Sequence, residues 1–592
     1  MPQALTTRRP WALLAVPWLM AAAAQAEAEP DWRDDWALAD GLTMEIDSRG
    51  YNFPVQTAFV PDPGPEPRDA LYFVVELKGH LKAVSNDRRV HAFAADFLPN
   101  PQGERFVQAG AAGICLDPVN GYVFATFAYL DDRHVYRNGI VRFESEPRRF
   151  GLREKGQRLF LDLFKDEVSA TDHQIGPCQV KDGHMYVSVG YGVDRAQAQN
   201  RHSTLGSILR MSLDFAPVAD NPFYEDDGRE TAIDYLWAYG FRNPFGLRFV
   251  GDRLFATDNG GNIDRFDEVA RGENHLWNGT DWGIGARAAQ VFAPAIGIVH
   301  LDFIPPDNML FPEPYRGRFV AAAAGAPGAK GPGNRGRRSV VMLDYDFENR
   351  RMAGPPREIL RYRGEGNQIP VSATMGPDGL YFVALLPDRT GESPVYRLRY
   401  DPAAGYPHRL GEGRSPQALI NRYQCRECHK IEGQGGTVGP ALDATLVPRL
   451  IERLNAPEYP TRVAEIDRID TEPFAGYRAA RREVLAATGE ERVRRWLKVF
   501  LRQSNFDNPE GKMPPQGLSE AHATLIARYL IESTTAAPPE IGVLDRLRFW
   551  VARQIPDLRY RHLVVAFLAG GAATAIFLLA LYAWVRGRAG GP

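Results

Sequence analysis

Six times between residues 69 and 383 a polar turn leads straight into an aromatic or aliphatic run, and this repetition constrains the fold of the 592-residue chain more than any other feature. The copies open at Asp69, Asn120, Asp182, Asp252, Arg316 and Asp378, as in Asn120-Gly121-Tyr122-Val123-Phe124-Ala125 and Asp378-Gly379-Leu380-Tyr381-Phe382-Val383. Their starts lie 51, 62, 70, 64 and 62 residues apart, room in each case for a four-stranded sheet and one long loop. Short strands, glycine-rich turns and almost no helical periodicity over residues 40–402 predict an all-β domain. Six loosely periodic copies predict a six-bladed propeller. The fold by itself assigns no function, but it gathers loops that are distant in sequence around one central channel.

A second kind of signal follows. Cys425-Arg-Glu-Cys428-His429 has the spacing of a c-type haem attachment site: each thiol can add to one haem vinyl group, and the adjacent histidine can ligate the iron. Half of a zinc site, a redox CxxC pair and a chance match are the alternatives. Zinc is short of ligands, since the only other cysteines are Cys115 and Cys178, far upstream. Gly439-Pro440-Ala441-Leu442 follows the motif, and Gly511-Lys512-Met513-Pro514-Pro515 precedes an amphipathic helix capped by Ser519 and carrying Leu525, Ile526, Tyr529 and Leu530. Residues 413–535 thus resemble an all-α class I cytochrome c. The resemblance implies that Pro440 offers its carbonyl to the ring of His429, and that Met513 completes the iron's coordination and raises its potential. His522 is the rival axial ligand. A charged, helix-prone stretch from Thr445 to Asn505 departs from the family, and the sequence does not reveal its role.

Haem of this type is attached outside the bacterial cytoplasm, so an export signal is expected. Arg8 and Arg9, the apolar run Trp11 to Ala24 and Ala24-Gln25-Ala26 compose a signal peptide over residues 1–26. Residues 536–562 read as a linker and juxtamembrane segment. Leu563 to Val585 is an uncharged run of 23 residues between Arg559 and Arg561 on one side and Arg586 and Arg588 on the other. It is long enough to span a bilayer as one transmembrane helix. The expected location is the bacterial inner membrane, with a C-terminal single-pass anchor and the body in the periplasm. There a Cys115–Cys178 disulfide across two blades can persist, although two buried thiols fit the sequence equally. Charge is nearly balanced, 70 Lys and Arg against 73 Asp and Glu, which gives no footprint for nucleic acid.

Within the repeats stand three motifs: Thr171-Asp172-His173-Gln174-Ile175-Gly176, then Tyr239-Gly240-Phe241-Arg242-Asn243-Pro244-Phe245-Gly246-Leu247, then Thr257-Asp258-Asn259-Gly260-Gly261 followed by Asp267-Glu268-Val269. In this order and at blade spacing, residues 45–400 resemble the soluble aldose sugar dehydrogenase and glucose/sorbosone dehydrogenase family, which uses pyrroloquinoline quinone (PQQ) with calcium. The resemblance implies that His173 is the general base, with Asp172 orienting it. It implies that Arg242 and Asn243 hold the quinone and that the backbone carbonyls of Gly260 and Gly261 ligate calcium. The family usually has histidine at Phe241, glutamine at Phe245 and proline at Gly261. Its later-blade basic residues have no clear match here; the nearby candidate is the loop from Lys330 to Arg338, which reads equally well as a solvated loop. The large eight-bladed quinoprotein alcohol dehydrogenases match poorly, because vicinal cysteines and tryptophan-docking repeats are absent from the sequence.

These features predict a membrane-anchored quinohaemoprotein dehydrogenase. A sugar or related alcohol would be oxidised in the propeller, and electrons would pass through one covalent haem c to a soluble cytochrome or respiratory complex. The alternative is an electron-transfer cytochrome whose propeller lacks the quinone and serves as a docking scaffold, which Phe245 and the missing basic residues favour. Metal-assisted hydrolysis of a lactone is a third reading, and it leaves the haem motif without a purpose.

Overall fold

The computed structural model describes residues 31–99, 109–161, 163–281, 288–293, 295–325, 338–410, 415–423, 425–470, 473–513, 516 and 518–535. The signal peptide, Lys330, Pro514, Pro515, the linker and the apolar run 563–585 lie outside them. Among the described residues no helix is long and apolar enough to cross a membrane.

The first part of the chain is a six-bladed propeller of antiparallel sheets. Blade one is Pro54–Phe59, Ala70–Glu76, His80–Ser85 and Val90–Ala94. Blade two is Ala111–Asp117, Tyr122–Leu130, Tyr136–Glu144 and Lys155–Phe160. Blade three is Ile175–Lys181, His184–Val189, Ser207–Ser212 and Leu236–Tyr239. Blade four is Pro244–Val250, Arg253–Asp258, Asp264–Val269 and Gln290–Phe292. Blade five is Ile298–Ile304, Arg318–Ala323, Ser339–Leu343 and Arg357–Tyr362. Blade six is Pro370–Gly376, Gly379–Ala384, Val395–Tyr400 and, returning from the N-terminus, Leu42–Ser48.

The repeat in the sequence is the second strand of each blade together with the turn before it. A blade is covered on both faces by its neighbours, so this strand has no wet side to alternate with. Ala70–Glu76 and Gly379–Ala384 are buried at every position. The six first strands pack against one another in a closed ring around the axis. Each of them slips register near its start, between Pro54 and Gln56, Ala111 and Gly113, Ile175 and Cys178, Pro244 and Gly246, Ile298 and Leu301, and Pro370 and Ser372. A bulge bends a strand and re-aims its side chains, and here it recurs on every blade where the inner strand leaves the loops of one edge.

The ring is closed by the N-terminal segment. Leu42–Ser48 pairs with Val395–Tyr400, while Trp36–Leu38 adds a fifth strand to blade five beside Arg357–Tyr362. At the seam with blade one the fully buried Asp47 carboxylate accepts from Tyr72 Oη at 2.6 Å and meets Arg88 Nε at 2.9 Å. Arg88 also reaches Asp378 of blade six at 2.6 Å. Cys115 and Cys178, on the inner strands of blades two and three, are joined by a disulfide whose Cα atoms lie 5.6 Å apart.

The later part of the chain is helical. Pro416–Arg422 and Cys425–Cys428 precede Leu446–Asn455, Glu458–Ile466, Arg478–Ala486, Gly489–Arg502 and Glu520–Thr535. Four of these helices form the stretch whose role the sequence left unread. They supply most of a single core, with Leu450, Tyr459, Val463, Val484, Val493, Trp496 and Leu501 packed on Ile526 and Leu530 of the last helix. Ser519 caps that last helix, its Oγ accepting from His522 N at 3.3 Å. The helix buries Ala523, Ile526, Ala527, Leu530 and Ile531, while Leu525 and Tyr529 sit at the margin.

The disulfide spans 63 residues, and a crosslink of that length restricts the unfolded chain by about 4 kcal/mol. The variant Cys115→Ala/Cys178→Ala should therefore unfold at distinctly lower urea concentration than the parent. Equal midpoints, with both thiols titratable in the denatured unreduced parent, would show that the bond does not form.

Candidate functional site

In an antiparallel blade the start of the first strand and the end of the second lie at the same edge. His173 precedes Ile175–Lys181, Gly190 and Tyr191 follow His184–Val189, Arg242 and Asn243 precede Pro244–Val250, and Gly260 and Gly261 follow Arg253–Asp258. Topology therefore brings four segments of blades three and four together at one rim of the central ring.

The residues make a connected cluster. Asn243 is buried, and its Nδ2 donates to the carbonyl of Asp172 at 3.0 Å. Its Oδ1 is buried with no hydrogen-bond partner among the described residues. An orphaned amide oxygen of this kind costs about 1–3 kcal/mol, and it marks a place where a ligand donor belongs. The Arg242 guanidinium donates to the carbonyl of Asn259 at 2.8 Å, and Arg242 Cζ stands 5.9 Å from the Tyr191 ring centre. Asp258, almost fully buried, sets this turn: its Oδ1 accepts from Asn243 N at 2.6 Å, its Oδ2 from Arg242 N at 3.2 Å, and it pairs with buried Arg265.

His173 exposes 12% of its side chain, and its Nδ1 lies 3.3 Å from Oδ1 of the more open Asp172. Burial pushes its pKa down from 6.5 to about 4, the positive charge of Arg242 adds to the fall, Asp172 opposes it, and Arg195 adds a smaller depression. The imidazole is neutral through the whole working range of an ordinary enzyme.

The Gly260–Gly261 turn is held by carboxylates below it. Asp264, fully buried, accepts from Gly260 N at 2.8 Å, Ile296 N at 2.7 Å and Ile298 N at 3.0 Å, and burial lifts its pKa to about 6 against those donors. Asp281 Oδ2 accepts from Gly261 N at 3.0 Å and Asn262 N at 2.8 Å. A Cβ on Gly260 would fall 1.6 Å from the carbonyl oxygen of Ile263, so no other residue fits there. Among the described residues no group of three or more His, Cys, Asp or Glu side chains is arranged to hold a metal ion.

Sequence reasoning missed His275. Its ring stacks on Phe241 with centres 4.1 Å apart, immediately before Arg242, and lies 3.8 Å from Asp267 and 3.5 Å from Glu273. Burial opposes its charge, but the two nearby carboxylates, Asp267 and Glu273, outweigh burial and lift its pKa to about 9. Its approach to Phe241 depends on blade packing, so no local pattern announces it.

In the helical part, His429 Nδ1 is 2.7 Å from the carbonyl of Pro440, as the resemblance implied. That contact leaves Nε2 as the ring nitrogen for another partner. Cys425 and Cys428 are half-buried. A Cβ on Gly439 would lie 2.3 Å from the His429 ring, so the glycine is needed for the ring's placement. Met513 is half-buried and its carbonyl accepts from the Ser504 hydroxyl. His522 Nδ1 is engaged at 2.8 Å with Tyr423 Oη.

Fold and loops together define a six-bladed propeller with a neutral histidine, an arginine and an under-bonded asparagine on one rim. Residues 52–292, less than half of the chain, match the family described as Glucose / Sorbosone dehydrogenase. The chain is 36% identical over 104 residues to an uncharacterized protein, slr1608, of Synechocystis, covering 17% of this chain and 24% of that one. It is 28% identical over 105 residues to Aldose sugar dehydrogenase YliI of Escherichia coli, covering 17% and 28%. It is 27% identical over 139 residues to Quinoprotein glucose dehydrogenase B of Acinetobacter calcoaceticus, covering 20% and 28%. The chain thus spans about a quarter of the length of these curated relatives.

His275 supplies a pH dependence with a definite sign. Its folded pKa of about 9 exceeds the ordinary 6.5, so its stabilisation is complete below pH 6.5 and is lost as pH rises through 9. Urea midpoints measured between pH 6 and 10 should fall across that window, and the fall should be reduced in His275→Gln. An identical profile in the variant would show that another group titrates.

Proposed function

We propose that this protein is a quinone-dependent sugar dehydrogenase whose electrons leave through a covalent haem. The observation that carries the reading is the juxtaposition of neutral His173, Arg242 and the orphaned Asn243 oxygen on the rim of a propeller whose sequence matches the glucose/sorbosone dehydrogenase family. The names of the aldose and quinoprotein glucose dehydrogenase relatives support a sugar substrate and a quinone cofactor.

The residues present suit the cofactor. Asn243 Oδ1 lacks a donor among the described residues, and the adjacent residue, Arg242, carries a guanidinium held at the carbonyl of Asn259. The quinone, when bound, accepts the two electrons of a hydride leaving the substrate carbon. His173 takes the accompanying hydroxyl proton on Nε2, because Nδ1 faces Asp172, and Asp172 holds that tautomer. Arg242 would stabilise negative charge developing on the bound ring. Calcium, which the resemblance adds, would rest on the carbonyl oxygens of Gly260 and Gly261. The carboxylates of Asp258, Asp264 and Asp281 are already engaged by backbone amides.

The Cys425-to-His429 segment suits haem c. The Gly439 cradle and the Pro440 contact fix the His429 ring with Nε2 free, and the Tyr423 partner of His522 favours Met513 as the second axial ligand. Under this reading the protein is exported to the periplasm, anchored through residues 563–585, and passes electrons to a soluble cytochrome or respiratory complex. The scaffold reading keeps one specific support: Phe245, half-buried at the inner bulge of blade four, stands where the family usually has glutamine.

Purified protein loaded with PQQ and calcium should show reduction of its haem bands when an aldose is added. His173→Ala should bind the quinone yet slow this by about 10²-fold or more. The acid limb of the parent's rate profile should lie near pH 4 rather than 6.5, since the base is lost only when His173 takes a proton. A parent that binds no quinone would establish the scaffold reading.

Haem should stay with the denatured polypeptide in acidified organic solvent, and Cys428→Ala should leave at most one thioether. Free haem extracted from the parent would refute covalent attachment.

A further inference from the structure

Segment 190–192 is threaded between the two loops that carry the proposed base and the proposed quinone ligands. Gly192 N donates to the carbonyl of His173 at 3.0 Å, and Tyr191 N donates to the carbonyl of Arg242 at 2.9 Å. A Cβ on Gly190 would come within 2.7 Å of the His173 carbonyl and 2.6 Å of Asn243 Oδ1, so the main chain there touches both loops. Above this backbone the rings follow one another in sequence, at interplanar angles of 31° and 35°. His173 and Tyr191 have centres 4.3 Å apart, and Tyr191 and Trp277 have centres 4.8 Å apart. Tyr191 is 8% exposed and Trp277 is 2% exposed. Trp277 N donates to the carbonyl of Gly240 at 2.9 Å, and its indole Nε1 donates to Asp281 Oδ1 at 3.1 Å. The other oxygen of Asp281 holds the amides of Gly261 and Asn262.

We propose that Tyr191 and Trp277 are positioning residues, an aromatic column that fixes the imidazole of His173 against the Arg242–Asn243 turn and ties it, through Asp281, to the Gly261–Asn262 loop. The inference rests on the reading of His173 as base. The ring contacts add to what the buried area of the two side chains contributes. They also leave the imidazole little rotational freedom, and a base must be held in a productive orientation. The column has a second effect, on proton affinity. The Tyr191 ring covers one face of the imidazole, and burial is the largest cause of that group's depressed pKa. The charged groups acting on it are Arg242 and Arg195, which disfavour its proton, and Asp172, which favours it.

The test reads His173 in the full-length protein by hydrogen–deuterium exchange at its ring C2, followed by mass spectrometry across pH, with and without turnover. Tyr191→Phe keeps the ring and should leave the His173 midpoint and the haem-reduction rate near the parent's. Tyr191→Ala should move the midpoint up by one pH unit or more, toward 6.5, shift the acid limb with it, and lower kcat about tenfold or more with KM little changed. Tyr191→Leu, which keeps apolar volume without a ring, should give an intermediate shift and guards against a folding failure. Trp277→Phe retains the stack but loses the indole N–H. It should quicken amide exchange at Gly261 and Asn262 while leaving the His173 midpoint in place. A parental midpoint in folded Tyr191→Ala, or an equal shift in Tyr191→Phe, would overturn the column. A midpoint that moves while the rate and its acid limb stay fixed would uphold the column and refute the base.

Discussion

Closure of the ring is the constraint on which the rest depends. The loops of blades three and four meet at a rim because their inner strands are held in a circle, and the circle ends where Leu42–Ser48 completes blade six. The seam beside it is ionic at its centre. Asp47 has no solvent exposure and is neutralised by Arg88 and Arg397, with Tyr72 as a further donor. A buried pair of this sort adds little net stability, because desolvation offsets attraction, but a mispaired strand would leave the carboxylate uncompensated at a cost of about 3–5 kcal/mol. The seam is therefore suited to selecting register. Slipping Leu42–Ser48 by one residue would turn Met44 outward and move Asp47 from its arginines.

The rim uses charge in two opposed ways within a few residues. His173 is surrounded by arginines and buried ring surface, so it stays neutral and keeps a lone pair. His275 is set between Asp267 and Glu273, so it stays charged and stacks as a cation on Phe241. The first arrangement suits proton acceptance. The second holds the approach to Arg242 from beneath, with Asp258 tying the same turn through its backbone amides. A neutral and a charged imidazole on one rim follow from the neighbours alone.

What could be read from the sequence follows burial geometry. Second strands were legible because both their faces are covered, which turns them into unbroken apolar runs such as Leu71 to Val75. Inner strands were not, because each is bulged near its start and mixed in polarity, as in Ile298–Ile304 with buried His300 and Asp302. The motif residues His173, Arg242, Asn243, Gly260 and Gly261 were legible as a set, and the topology explains their common rim. Tyr191, Trp277, Asp281 and His275 were not, because their partners lie on other loops or strands and only packing brings them together. Cys115 and Cys178 fell between the two cases: their similar phase in two repeats showed that a bond was open to them, and only the spacing of the inner strands decided it.

The helical stretch from Thr445 to Asn505 was opaque for a different reason. Charged residues are scattered all along it, yet its helices turn one face inward and fill that face with Tyr459, Val463, Val484, Val493 and Trp496. Its polar members are also structural. Asp507 accepts from Trp496 Nε1 at 2.6 Å and from Tyr459 Oη at 3.1 Å, and fully buried Arg481 donates to Asp467 and to the carbonyls of Phe506 and Phe474. The segment from Cys425 to Leu442 places only Cys425, Ile431 and Leu442 on the core, too few to order it alone. These helices supply most of the core to which Ile431 belongs and against which Cys425 and Leu442 pack.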